Sequence, residues 1–341
     1  MRFITSVWLA AICLTSFAQQ EKLPLDPEVR HGVLENGMTY YIRHNEEPKN
    51  RASFYIIQNV GAILETDAQN GLAHFLEHMA FNGTKHFPGK GILNTLERHG
   101  VAFGRNINAY TSQNETVYNL SDVPVNKPGL LDTCLLVLND WSNYLLLTEE
   151  EIDAERGVIT EEWRTRRNAR FRMYKEALPF MYNHSKYAER DVIGDLDVIK
   201  NFEYETIRDF YHDWYRTDLQ AIVAVGDFDA AEMEKKVIEK FSKIPAVTDA
   251  KERPFTRIPD NEAPMFALIT DKEADNTNIQ YMIRQYVGQE GVTTTAQLRD
   301  QYVEQLFNRM MSQRMQELLQ KGDPPFVNGG INRGQFTRGY D

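Results

Sequence analysis

From Gly71 to Phe81 the chain reads Gly-Leu-Ala-His-Phe-Leu-Glu-His-Met-Ala-Phe, and this stretch restricts fold and chemistry more than any other. The spacing predicts a helix, opened by Asn70 as N-cap and closed by Asn82-Gly83. At about 3.6 residues per turn, His74, Glu77 and His78 share one side, because offsets of three and four stack on a helix surface. Leu72, Phe75, Leu76 and Met79 take the other side, which calls for a core that holds the helix rigid. Two imidazoles a turn apart can grip one zinc ion, and the carboxylate between them is placed to take a proton from water on the metal. The competing reading is a pair of satisfied core histidines.

Zinc held by two histidines needs a further protein ligand, and a catalytic ion keeps its last position open for water. Cysteine cannot supply two ligands, because Cys134 is the only cysteine after Cys13; an internal disulfide is excluded for the same reason once a signal segment carrying Cys13 is removed. Cys134 lies in Leu131-Asp132-Thr133-Cys134-Leu135-Leu136-Val137-Leu138 and reads as a small apolar residue of a buried helix. Glutamates are the better candidates. Thr148-Glu149-Glu150-Glu151 is a capping box that should start a long helix running into the basic stretch Arg164 to Arg172. On it Glu155 and Glu162 face the same way, two turns apart, whereas Glu161 points roughly 100° from Glu162. One of the aligned pair could hold the ion while the other hydrogen-bonds a ligand, and periodicity does not choose between them. Either could equally belong to the polar face of a solvated helix. His86, His99, His184 and His212 show no comparable pairing.

The rest of the chain mixes strands and helices. Asn36-Gly37 signals a hairpin turn before a strand at 39–42, and 52–60 is a second strand rich in β-branched and aromatic residues. Residues 101–112 and 115–120 read as adjacent antiparallel strands, and 219–226 as a buried one. Helices are expected over 89–97, 128–143, 203–215 and 230–241. A first domain over 28–245 then meets a linker at 246–254, where Pro, Thr, Asp and Lys interrupt the periodicity. Strand-like segments at 265–269 and 279–287 and a helix over 295–320 begin a second domain, 255–341. It has under about a hundred residues against roughly two hundred in the first, so the sequence is expected to be a fragment or a truncated product.

The formal net charge is -11, with 49 acidic against 38 basic side chains and no long basic run, which argues against nucleic acid as a partner. Arg2, the apolar run to Phe17 and Ser16-Phe17-Ala18 read as a secretory signal over residues 1–18. That run is short for a membrane span, and no later stretch reaches roughly 20 apolar residues, so no integral span is expected. Bulky Ile12 precedes Cys13 where lipid attachment prefers a small residue, so lipid anchoring is not expected.

His74-Phe75-Leu76-Glu77-His78 and its continuation to Thr84, Asn108-Ala109-Tyr110-Thr111-Ser112, and Glu155 through Glu162 together resemble a known family. It is peptidase family M16, the zinc peptidases that include pitrilysin, insulin-degrading enzyme and the mitochondrial processing peptidase, and the chain is most similar to bacterial periplasmic members. Tyr187 through Gly194, Phe210-Tyr211 with Trp214-Tyr215, and Val225-Gly226-Asp227 extend the match in family order over most of residues 30 to 245. The resemblance implies an α+β fold of tandem two-layer domains, with helices packed on a mostly antiparallel sheet. It implies a zinc metalloendopeptidase with one Zn2+ per catalytic domain, His74, His78 and Glu162 as ligands, Glu77 as general base and Glu155 as a second acid of the site. The gap from His78 to Glu162 is longer than is usual in that family, so Glu155 stays the alternative third ligand.

Asn108, Ala109 and Tyr110 are implied to bind substrate, an extended peptide pairing its backbone with a sheet edge. Substrates are then unfolded peptides or small proteins, met in the periplasm after secretion. The implied partner is a C-terminal M16 half or a separate subunit that closes a chamber and supplies an arginine and a tyrosine. Without it the metal can assemble while cleavage stays weak. A non-catalytic member organising a partner protein is the alternative from another class, and a structural zinc site with a fourth protein ligand is a third.

Overall fold

The computed structural model of the chain describes residues 21–289 and 291–341, so the signal-like segment 1–18 lies outside the described residues. Asn36-Gly37 turns strand β1 (Val29–Val33) back into β2 (Thr39–His44), with Gly37 at φ +91°, a conformation that suits glycine. Strand β3 (Arg51–Gln58) follows, then helix α1 (Leu72–Met79) and the short α2 (Gly91–Glu97). Next come β4 (Ile107–Thr111), β5 (Thr116–Pro124), α3 (Leu130–Asn143) and α4 (Glu149–Arg166). Helices α5 (Ala169–Met181), α6 (Lys186–Glu189), α7 (Leu196–Asn201) and α8 (Tyr204–Trp214) lead to β6 (Gln220–Gly226) and α9 (Ala230–Phe241).

The six strands make one sheet in the order β1-β2-β6-β3-β5-β4. Only β2 and β6 run parallel; every other neighbouring pair is antiparallel. Burial alternates along the central strands: Ala52, Phe54, Ile56 and Gln58 of β3, and Ile222 and Ala224 of β6, are buried, while their neighbours are half-exposed. That period of two means the helices cover one face of the sheet. The expected α+β architecture, helices on a mostly antiparallel sheet, is the one observed.

Two features of the sheet position the site. Strand β4 is an edge, paired only with β5, and α1 packs against it as well as against α4 and α8. Beneath the C-terminal end of α1, Trp141 stacks on Tyr118 at 5.3 Å and meets the edge of Phe81 at 5.6 Å, while its indole N–H donates to the Ala80 carbonyl. Such aromatic pairs add about 1 kcal/mol each beyond their buried area.

The opening of α1 differs from the expectation. Asn70 does not cap it; Gly71 is the N-cap residue, at φ +105°, and the buried carboxylate of Glu65 accepts from the Gly71 and Ala73 amides at 2.9 and 2.8 Å. A glutamate can do this from six residues away because the chain first folds back through a short 3-10 turn. Gly71 also lies against Gly194, whose φ is +78°. Gly194→Ala would drive a Cβ into the Gly71 backbone and the Asn70 carbonyl. We expect that change to cost about 3 kcal/mol of stability in urea unfolding, from overpacking plus left-handed strain.

The long helix runs into the basic stretch as expected and ends within it at Arg166, because Asn168 caps a new helix by accepting from the Phe171 amide at 3.0 Å. The segments 265–269 and 279–287 form no strand; Phe266, Leu268 and Ile279 are 87, 94 and 92% exposed. Apolar alternation alone does not make a strand, since its backbone groups need a partner strand: none lies beside 265–269 among the described residues, and at the end of 279–287 only an isolated antiparallel bridge forms, Gln285 and Val287 bonding the backbone of Asp341 and Gly339. Residues 282–341, with 21–25, make up a second unit whose main element is α10 (Thr295–Leu319), capped by Thr294 and Gln297. Among the described residues no helix is long and apolar enough to cross a membrane.

Candidate metal centre

Helix α1 carries His74, Glu77 and His78, and α4, packed beside it, carries Glu155 and Glu162. His74 and His78, one turn apart, hold their rings 4.7 Å apart at 75° to each other. Their Nε2 atoms both face Glu162 Oε2, at 3.7 and 3.5 Å. One donor atom from each of the three residues lies within 4.8 Å of the others. Donors about 2.1 Å from a tetrahedral zinc stand about 3.4 Å from one another, so this trio fits the ion in both spacing and donor type. Arg166 pairs with the other oxygen of Glu162, leaving Oε2 for the histidine side.

Glu155 lies on the far side of the imidazole. Its Oε1 meets His78 Nδ1 at 2.7 Å and its Oε2 accepts from the Asn82 amide. His74 Nδ1 is buried and has no hydrogen-bond partner among the described residues. The fold thus separates two acids that helix periodicity had aligned, one at the Nε2 atoms and the other behind His78. Glu77 joins neither group: its Oε2 accepts from Thr111 Oγ1 at 2.6 Å. Thr111 closes β4, so the edge strand and Glu77 are tied directly.

These contacts set the charges. Burial and the neighbouring His78 push His74 down to about 4. Burial would lower His78 as well, but its hydrogen bonds to Glu155 and Glu162 outweigh that and raise it to about 9. The metal-free pair therefore carries its proton on His78 at neutral pH. The His78 hydrogen bond, aided by His74 and Arg166, brings Glu162 down to about 2 against burial. Glu155 is also lowered, burial being overcome by His78 and Asn82. Glu77 goes the other way, raised by burial although the Thr111 hydroxyl opposes it.

Asn108, Ala109 and Tyr110 lie along β4 opposite Asn119, Tyr118 and Val117. Sequence reading missed Thr111 as a partner of Glu77, Asn82 as a partner of Glu155, and Lys90 as the donor to Asn82. For Asn82 a signal existed: it follows His78 by one turn, on the same side. No comparable signal marks Thr111 or Lys90, whose contacts depend on how the elements pack.

Residues 40–188 match the family model described as insulinase (peptidase family M16), and residues 201–322 the one described as the peptidase M16 inactive domain. The chain is 34% identical over 313 residues to the probable zinc protease PqqL of Escherichia coli K12, covering 91% of this chain and 33% of that protein. It is 33% identical over 343 residues to the probable zinc protease PqqL of Haemophilus influenzae, covering 98% and 36%. The chain thus spans about a third of the length of these curated relatives. Among solved structures, the first half of the periplasmic protease PqqL from Escherichia coli superposes with a TM-score of 0.82 at 31% identity, over 94% of this chain and 68% of that one. A mutant of the ferredoxin protease FusC, in complex with Arabidopsis ferredoxin, gives 0.62 at 29% identity, over 70% and 26%.

Proposed function

This chain belongs to peptidase family M16, the insulinase family, and on that footing we propose that it forms the metal-binding part of a zinc-dependent endopeptidase. The observation that carries the reading is the meeting of His74 Nε2, His78 Nε2 and Glu162 Oε2 with Glu77 beside them but held apart by Thr111. His74, His78 and Glu162 would hold the ion. Zinc, when bound, supplies Lewis acidity toward a carbonyl oxygen and makes water easier to deprotonate.

The remaining steps belong to the chain itself. An extended peptide lies along the free edge of β4, where Ala109, between Asn108 and Tyr110 whose backbone groups pair with β5, turns its backbone outward whatever the peptide's side chains are. That mode suits unfolded peptides and small proteins. Glu77 keeps Oε2 on the Thr111 hydroxyl, so Oε1 takes the proton of the attacking water and returns it to the leaving nitrogen. Glu155 fixes the ring of His78 through Nδ1 and takes no proton from substrate. The relatives described as periplasmic proteases support the same compartment for this chain, and their greater length supports a C-terminal half or a partner subunit that completes the substrate chamber.

Zinc calorimetry in buffers of different ionisation enthalpy tests this. At pH 7.5 binding is expected to release about one proton per ion, from His78, because a ligand must give up its proton to the metal. The release should fade as pH rises through about 9, where His78 is already neutral without metal. Diffraction at the zinc edge should place the ion among His74, His78 and Glu162. An ion found elsewhere, or a native chain that takes up no zinc, would overturn the reading.

A further inference from the structure

We propose that Lys90 and Asn82 are positioning residues for the metal site, acting on it through Glu155 and His78. The inference rests on the zinc reading above. Four groups stand in line: Lys90 Nζ donates to Asn82 Oδ1, Asn82 Nδ2 donates to Glu155 Oε2, and Glu155 Oε1 holds His78 Nδ1 at 2.7 Å. They come from the loop before α2, the turn after α1, α4 and α1 itself.

The chemistry allows the line to run only one way. An ammonium only donates and a carboxylate only accepts, so the amide between them must turn its oxygen to Lys90 and its nitrogen to Glu155. The amide dipole is then aligned between a positive and a negative group. Both oxygens of Glu155 are occupied, which locks a carboxylate that is only 7% exposed. A locked carboxylate keeps the proton of His78 on Nδ1 and leaves Nε2 turned toward Glu162. Asn82, 4% exposed, has no solvent to replace its partners, so without it one oxygen of Glu155 would be buried with no donor. Neither Asn82 nor Lys90 offers a zinc ligand, so the contact route from either to the ion runs through Glu155.

The test is zinc affinity by chelator competition, measured on the whole chain. Asn82→Leu should weaken zinc about 10- to 100-fold, the range for loss of a partner behind a ligand. Lys90 is exposed, so Lys90→Met leaves the fold intact and serves if Asn82→Leu does not fold; it should weaken zinc by about 3- to 10-fold, a smaller loss because it acts one contact further out. Lys90→Arg should restore affinity, and the absorption bands of bound cobalt should shift in Lys90→Met. Lys85→Met, which removes the same charge from an exposed site over the Tyr144 ring, should leave affinity unchanged. In a Glu155→Gln background Lys90→Met should have no further effect, because the relay is already cut.

Affinities of Lys90→Met and Asn82→Leu within about twofold of the native chain, while His74→Ala abolishes binding, would overturn the relay and leave the metal site standing. So would equal losses from Lys85→Met and Lys90→Met. A native chain that takes up no zinc would overturn the metal reading and the relay with it.

Discussion

Glu77→Gln is expected to lower hydrolysis of an unstructured fluorogenic peptide by about 10²- to 10⁴-fold, the usual share of a general base, while zinc stays near one ion per chain. Glutamine has the shape of glutamate and can still accept from Thr111, so the side chain keeps its place and loses only its basicity. The zinc half of the outcome follows from geometry: the cluster of three donor atoms contains His74, His78 and Glu162, and Glu77 is not part of it. Loss of zinc along with activity would make Glu77 a ligand and leave the site without a base. The acid limb of the pH profile adds a check. Burial holds Glu77 above its ordinary value in the metal-free site, and the base must be ionised, so native activity should fall on the acid side as Glu77 takes up a proton. That limb should vanish from the residual activity of Glu77→Gln.

Much of this was legible in the sequence because it depends on local periodicity. His74, Glu77 and His78 share a side through the pitch of one helix, and the apolar residues opposite them are buried as that pitch requires. The hairpin at Asn36-Gly37 and the pair β4–β5 were equally local. What failed depended on distant partners. Glu65 displaces Asn70 at the start of α1 only because an intervening turn brings it back. The apolar segments 265–269 and 279–287 carry strand-like patterns, but nothing in those patterns says whether a partner strand lies alongside. Asn168 was overlooked as a cap because the run of arginines around it continues the helical composition across the break.

The alignment of Glu155 with Glu162 shows the limit of periodicity. Two turns of helix put both acids on one side of α4, yet they are far enough apart along it to reach opposite edges of the same imidazole. One edge carries the lone pair a metal needs and the other the N–H that orients the ring. The sequence holds the two positions but not the tilt of α4 across α1, which decides which acid reaches which nitrogen.

Replacing each acid by its amide separates the two roles. Glu162→Gln should weaken zinc on the order of 10³-fold, about a quarter to two-fifths of the roughly 10–16 kcal/mol apparent binding energy of a structural zinc site. Glu155→Gln should weaken it about 10- to 100-fold, the range for a partner behind a ligand: the amide oxygen can still accept from His78 Nδ1, but the amide nitrogen then faces the Asn82 nitrogen, donor against donor, and the line from Lys90 is cut. The pH dependence should part them too. His78 is raised to about 9 by both acids, so either amide lowers the pH at which the metal-free ring loses its proton, and either variant should release less proton on binding zinc at pH 7.5. If that relief of proton competition were the main effect, both variants would bind zinc more tightly than the ordering above allows. Losing a donor outweighs it at position 162, because the ion then has two protein ligands instead of three. A larger loss from Glu155→Gln would mean that the rings turn when metal enters, and the third-ligand role would pass to Glu155.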